Sequence, residues 1–256
     1  MWTTYIIFGI IIYIAREINN YRGIAVITEE GLIIQRKKFK NILVLTGDIN
    51  PLKEDEELFE KFYYGLSNFR REKCNRFKKK NDKIRCTGAG ILLDLGLKEY
   101  GLCEKNSTYL LGKNGKPYIE GHPELCFNIS HSGDRVMCAF ADVPVGCDVE
   151  FVEEGKKQTD SIAKRFFTEN ERRLIETQKS DDGIFYTIWT LKESYVKCIG
   201  EGLQCPFDSF SVVDDNGNIA LSGDCGIELF SFKEDNYRFG VAYAVSDRAY
   251  SYLDRE

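Results

Sequence analysis

Residues 127–151 read as three short strands in succession, and residues 184–199 as one long helix. That pairing is the tightest constraint on the fold. The strands are Phe127–Ser130, Arg135–Phe140 and Val145–Phe151, rich in β-branched and aromatic side chains and separated by turn residues. The helix runs from Ile184 to Ile199 and stops at Gly200. Upstream, Asn41–Thr46 reads as a strand. The acidic stretch Lys53–Glu60 opens an amphipathic helix with Leu58, Phe59, Phe62 and Leu66 on one side. A helix over Thr87–Leu97 and a Gly/Asn/Pro turn at Leu111–Pro117 follow. Downstream lie a helix over Asp160–Phe167, a capping box at Thr168 and Glu171, and strands over Phe207–Val213 and Tyr237–Val245. Both halves mix strands and helices, so the expected class is α+β. The expected division is an N-terminal extension over 1–40, one subdomain over 41–144 and a second over 145–256.

Composition narrows the function classes. At 256 residues with 43% hydrophobic and 29% charged residues, the chain is neither disordered, collagen-like nor a multi-span membrane protein. A net charge of −5 argues against a general nucleic-acid binder. Nine cysteines form no CxxC pair, and two histidines are too few for a zinc site, so the thiols read as reduced and buried in a cytoplasmic protein. The uncharged run through the first fifteen residues is too short to span a membrane, which takes about 20 apolar residues. It also lacks signal-peptide flanks, so a strand or packed segment is favoured over membrane contact.

Three segments carry chemistry. Phe69–Arg85 holds nine basic and two acidic residues, a local charge of +7 that suits an anionic partner such as phosphate, or else a solvated face. In Val145–Phe151, strand alternation puts Gly146, Asp148 and Glu150 on one face, and paired carboxylates at that spacing suit Mg²⁺. In Phe185–Ile199, helical spacing aligns Trp189, Glu193 and Lys197, an ion pair at its simplest and an acid–base site at its sharpest. His131 sits between Ser130 and Ser132 ahead of Gly133. No GxSxG elbow, dinucleotide fingerprint or P-loop is present.

Taken in order, Asn128-Ile-Ser-His-Ser132, Gly146-x-Asp-x-Glu150 and Trp189-x-x-Lys-Glu-Ser-x-x-Lys197 resemble the surfactin-type 4′-phosphopantetheinyl transferases. Arg71-Glu-Lys-Cys-Asn-Arg-Phe77, Gly115-Lys-Pro117, Ala163–Thr168, Gly200–Leu203 and Asp208–Val212 extend the likeness over residues 41–256. The resemblance implies two similar α+β halves related by a pseudo-twofold, with the active site in the cleft between them. It also implies transfer of phosphopantetheine from coenzyme A to a carrier-protein serine, with release of adenosine 3′,5′-bisphosphate.

By the same resemblance, Asp148, Glu150 and Glu193 are the Mg²⁺ carboxylates. Glu193 is the base, directly or through water, and Lys197 stabilises or protonates the leaving phosphate. Arg70, Lys73, Arg85, Lys116, Pro117, Ser130 and His131 are implied at the coenzyme A phosphates, with Lys192 as a further candidate. Cys86 stands where a hydroxyl is common, which puts one phosphate hydrogen bond in doubt. The implied partners are coenzyme A and an apo acyl or peptidyl carrier, with no nucleic acid, and the chain is expected to act as a monomer. Two rivals stand beside this reading. One is another Mg²⁺-dependent phosphoester enzyme acting on coenzyme A; the other is a non-catalytic carrier-binding module.

Overall fold

The computed structural model describes residues 34–245, except 113, 154, 156–157, 179–180, 182 and 223–225; at 158 and 203 it describes backbone only. Ahead of residue 34 it describes the backbone of 2–7, 10–15, 22–27 and 33. Lys113 lies outside the described set. Two compact units divide the chain. The first comprises 1–110, 117–125 and 129–142; the second comprises 111–116, 126–128 and 143–256.

The first unit is built on a sheet. Strands β1 (Trp2–Ile7), β2 (Ile10–Ala15), β3 (Arg22–Ile27), β4 (Ile33–Phe39) and β5 (Ile42–Asp48) follow one another antiparallel. The apolar N-terminal run is therefore two β-strands, as its β-branched content favours. β5 is buried nearly throughout, because it lies inside the sheet with apolar neighbours on both faces. Helices α1 (Asn50–Glu54) and α2 (Glu56–Gly65) follow. The Asp55 carboxylate caps α2 by accepting from the Leu58 amide at 2.9 Å. Ser67 caps α3 (Asn68–Asn75) in the same way, accepting from the Arg70 amide.

Helix α4 spans Lys80–Lys98 and starts seven residues ahead of the predicted helix. Its first two turns carry Lys80, Lys83 and Arg85 of the basic stretch, where apolar periodicity is too weak to show. The short strands β6 (Tyr109–Leu111) and β7 (Pro117–Ile119) make a hairpin. β8 (Cys126–Ser132) and β9 (Arg135–Ala141) then complete a seven-stranded sheet of order β1-β2-β3-β4-β5-β9-β8.

The second unit is a three-stranded antiparallel sheet with one long helix across it. β10 (Val145–Phe151) and β11 (Ile227–Glu234) flank β12 (Tyr237–Ala244). Between them come α5 (Gln158–Phe166), α6 (Glu169–Thr177) and α7 (Gly183–Ile199). The capping box predicted at Thr168 and Glu171 forms at the start of α6. Gly200, at φ +73°, ends α7 in the left-handed region open to glycine. The predicted strand at Phe207–Val213 is reduced to one isolated antiparallel bridge, Val213 with Ile219. Phe207–Ser209 is a 3-10 turn, and the Phe210 carbonyl and Val212 amide bond to side chains instead of to a neighbouring strand.

Packing of α7 decides the rest of this unit. A Cβ at Gly146 would lie 2.0 Å from the Ser194 carbonyl oxygen, and one at Gly240 would lie 2.7 Å from that of Thr190. Two hydrogens therefore let the helix backbone rest directly on β10 and β12. Trp189 fixes the helix rotationally, with its ring in an aromatic cluster with Phe166, Phe167, Phe185 and Phe207.

Candidate active site

The face of β10 that carries Gly146, Asp148 and Glu150 is the face on which α7 lies. Asp148, one strand repeat beyond Gly146, is only 4% exposed. The Lys197 ammonium donates to Asp148 Oδ1 at 2.5 Å and to the Cys147 carbonyl at 3.3 Å. Lys197 is thereby tied to the strand rather than paired in sequence with Glu193 one turn earlier. Burial pulls the Lys197 ammonium down, but the Asp148 carboxylate, its hydrogen bond and Glu193 outweigh this and hold it above the ordinary lysine range. Glu193 shifts the other way for an acid. Burial and the negative Asp148 push its carboxyl above the usual range, and Lys197 only partly offsets them.

The result is two carboxylates and one ammonium in a largely desolvated corner, with one negative charge in excess. Hard oxygen donors with surplus charge fit a small divalent cation such as Mg²⁺. The expected ligand triad is nevertheless not drawn together: among the described residues, no three His, Cys, Asp or Glu side chains are grouped to hold a metal. Here the cation on Asp148 Oδ1 is Lys197. Glu150 lies one strand repeat farther along, where burial is declining.

Asn128 sets the strand. Its Oδ1 accepts from the Cys147 amide at 2.9 Å, and its carbonyl accepts from the Cys147 thiol at 3.2 Å. Cys147 is fully buried on the face away from the acids, as its parity requires.

Lys192 and Lys116 depart from the phosphate-contact expectation. Lys192 is fully buried and donates to Glu171 Oε1 and to the Phe210 carbonyl, both at 2.7 Å. Burial lowers its ammonium against the pull of Glu171. Glu171 also accepts from the Thr168 and Val212 amides, each at 2.8 Å, so the capping-box acid is the hub of this unit's interior. Lys116 donates to the carbonyls of Lys197 (2.7 Å), Val145 (2.9 Å) and Cys198 (3.3 Å). It serves the carbonyl end of α7, where a cation opposes the helix dipole. Lys116 thus commits its ammonium to three internal acceptors and Lys192 to two.

In the first unit, Arg70 is turned inward. It is 2% exposed, 4.0 Å from the carboxylate of Glu104, with Nε and Nη2 buried and making no hydrogen bond. Glu104, itself 1% exposed, accepts from the Ser67 amide and hydroxyl at 2.7 and 2.6 Å. This acid is not legible in the sequence, because it opens a three-residue 3-10 turn between Cys103 and Lys105, too short for any pattern to flag it. Lys73 remains on the outer side of α3, with its ammonium lowered by burial and by Arg70. Arg85 donates to the Gly133 carbonyl at 3.0 Å and pairs with Asp82. This brings α4 to the β8–β9 turn beside Ser130 and His131, which alternate on β8. Pro117 opens β7.

The sequence profile of the 4′-phosphopantetheinyl transferase superfamily matches residues 144–243, the span that contains β10, α7 and β12. Over 206 residues, 77% of this chain and 89% of the relative, the sequence is 35% identical to a 4′-phosphopantetheinyl transferase of Bacillus subtilis. This chain belongs to the 4′-phosphopantetheinyl transferase superfamily. The transferase is also 34% identical to 4′-phosphopantetheinyl transferase Sfp of Bacillus subtilis strain 168, over the same shares of the two chains. Among solved structures, a holo-(acyl-carrier-protein) synthase from Bacillus anthracis in complex with CoA (3′,5′-ADP) aligns at 22% identity. It covers 41% of the transferase and 96% of that chain, with a TM-score of 0.36. No helix among the described residues of the transferase is long and apolar enough to cross a membrane.

Proposed function

We propose that this chain transfers the 4′-phosphopantetheine group from coenzyme A to a serine hydroxyl of an apo acyl or peptidyl carrier protein, releasing adenosine 3′,5′-bisphosphate. One observation carries the mechanism: Lys197 donates to Asp148 Oδ1 at 2.5 Å, with the helix that bears Glu193 lying directly on the acidic strand. A carboxylate of raised pKa is a stronger base, so Glu193 accepts the proton of the incoming serine hydroxyl, directly or through a water. Lys197, kept charged and aimed by Asp148, stabilises the negative charge that develops on the departing phosphate. Asp148, Glu150 and Glu193 would hold Mg²⁺, which when bound supplies positive charge against the pyrophosphate. Phosphoryl transfer depends mainly on such neutralisation and alignment. Lys73, Arg85, Pro117, Ser130 and His131 are the proposed coenzyme A contacts. Lys116 and Lys192 serve internal acceptors instead, whereas Arg70, with two buried guanidinium nitrogens that make no hydrogen bond, stays among the proposed phosphate contacts.

The reading includes a cytoplasmic monomer with its metal carboxylates in 145–256. It is tested by intact-mass spectrometry of an apo carrier protein incubated with the purified chain, coenzyme A and Mg²⁺. A phosphopantetheine-sized gain that chelator abolishes is the expected result. Coenzyme A cleavage without a modified carrier, or no reaction across acyl and peptidyl carriers, would refute it.

A further inference from the structure

The Cys74 and Cys86 thiols meet at 2.7 Å, with Cys74 fully buried and Cys86 only 3% exposed. Cys74 closes the last turn of α3, and Cys86 lies in the second turn of α4. Between them run Arg76, Lys78, Lys79, Lys80, Lys83 and Arg85, the most basic part of the chain. Leu66, Tyr63 and Phe77 pack around the two sulfurs. We propose that Cys74 and Cys86 are a redox-modification site, at which a hydroperoxide converts the thiol pair to a reversible disulfide that clamps the basic loop between α3 and α4.

The two sulfurs are already closer than a non-bonded contact and need move by well under an ångström to reach bonding distance, about 2.05 Å. Cys86 is the thiol that reacts first. The hydrogen bond from Cys74 lowers it most, and the Arg70 and Lys73 cations lower it further against the effect of burial. Cys74 is pushed up by that same hydrogen bond and by burial, so it stays protonated until the second step.

In the first step the Cys86 thiolate attacks one oxygen of the hydroperoxide. The O–O bond breaks, a sulfenic acid forms and the alcohol leaves as its oxyanion, which takes up a proton. In the second step Cys74 loses its proton and its sulfur displaces hydroxide from the sulfenic acid, forming the S–S bond and releasing water. Two thiols are oxidised by two electrons, and one hydroperoxide is reduced to one alcohol and one water. A thiol reductant reverses the bond by exchange.

The test uses the full chain, treated with limiting hydrogen peroxide or left reduced, then unfolded, alkylated and digested with trypsin. The basic residues between the two cysteines separate them into different peptides. A linked pair of peptides, 2 Da lighter than the sum of the two and released by dithiothreitol, is the expected product. It should appear while Cys138, Cys147 and Cys198 still alkylate, and it should be missing from Cys86→Ser. Amide exchange over 75–85 should slow about tenfold in the oxidised protein, as closure of a loop suppresses local opening. Full alkylation of Cys74 and Cys86 after oxidation overturns the disulfide. Unchanged exchange in a protein shown to carry the bond overturns the clamp.

Discussion

Replacing Gly146 by alanine tests whether contact between β10 and α7 sets the chemistry. The added methyl would sit 2.0 Å from the Ser194 carbonyl oxygen and 2.4 Å from the Cys198 amide nitrogen. An ordinary contact starts near 3.4 Å, so the helix must retreat by roughly 1.4 Å or the strand must bend by as much. Both neighbours are helix backbone, which cannot swing aside as a side chain can. Overpacking of this kind costs about 1–3 kcal/mol, which in a chain of this size lowers the melting temperature by roughly 2–12 °C. Activity should suffer more. Ser194 follows Glu193 directly, so the displaced segment carries the proposed base, and a misplacement near 1 Å costs on the order of 10²-fold in rate. The assay is kcat/KM for carrier modification beside a thermal melt of the same preparation. A Gly146→Ala variant that stays folded and transfers at the wild-type rate would refute the argument that this glycine sets the site.

Three further outcomes follow from the same geometry. Lys192→Met strands the buried Glu171 carboxylate and should destabilise the chain by about 3–5 kcal/mol in denaturant unfolding; adding Glu171→Gln should recover part of the loss. A Lys192→Met protein of normal stability with weakened coenzyme A binding would restore a phosphate role for that lysine. Glu193→Gln should abolish transfer and change the pH profile of stability. Because the folded carboxyl sits above its ordinary range, the stability it contributes is present below that range and is lost as pH rises through the raised value, so the wild type should melt progressively lower than the Gln variant across that window. Melts that run parallel over pH 4–8 would count against the shift. Asp148→Asn should raise the Mg²⁺ concentration needed for transfer and bring the Lys197 ammonium down, read from the alkaline limb of the rate profile; an unchanged metal dependence would remove Asp148 as a ligand.

Much of the site was legible in the sequence because strand and helix periodicity place residues on faces. The parity of Val145–Phe151 separated Cys147 from Asp148, and helical spacing put Glu193 and Lys197 on one side. The destinations of the long cationic side chains were not legible. Lys116 and Lys192 each end on internal acceptors contributed from elsewhere in the sequence, Arg70 is buried 4.0 Å from Glu104, and charge alone does not say whether a flexible stem turns outward or inward. The strand expected at Phe207–Val213 falls short for the same reason. Its apolar alternation is real, but Lys192 claims the Phe210 carbonyl and Glu171 the Val212 amide, and no local pattern reports that competition.

The order β10-β12-β11 places the last described strand of the second unit in the middle of its sheet. Asp148 faces Gly240 in register, and β12 bonds to both of its neighbours along their length. During synthesis the strand that carries Asp148 therefore has no lasting partner until residues 237–244 have left the ribosome. The sheet of the second unit cannot mature vectorially, and a nascent chain stalled before Tyr237 would hold its acidic strand as an unpaired edge open to chaperones or to misassembly.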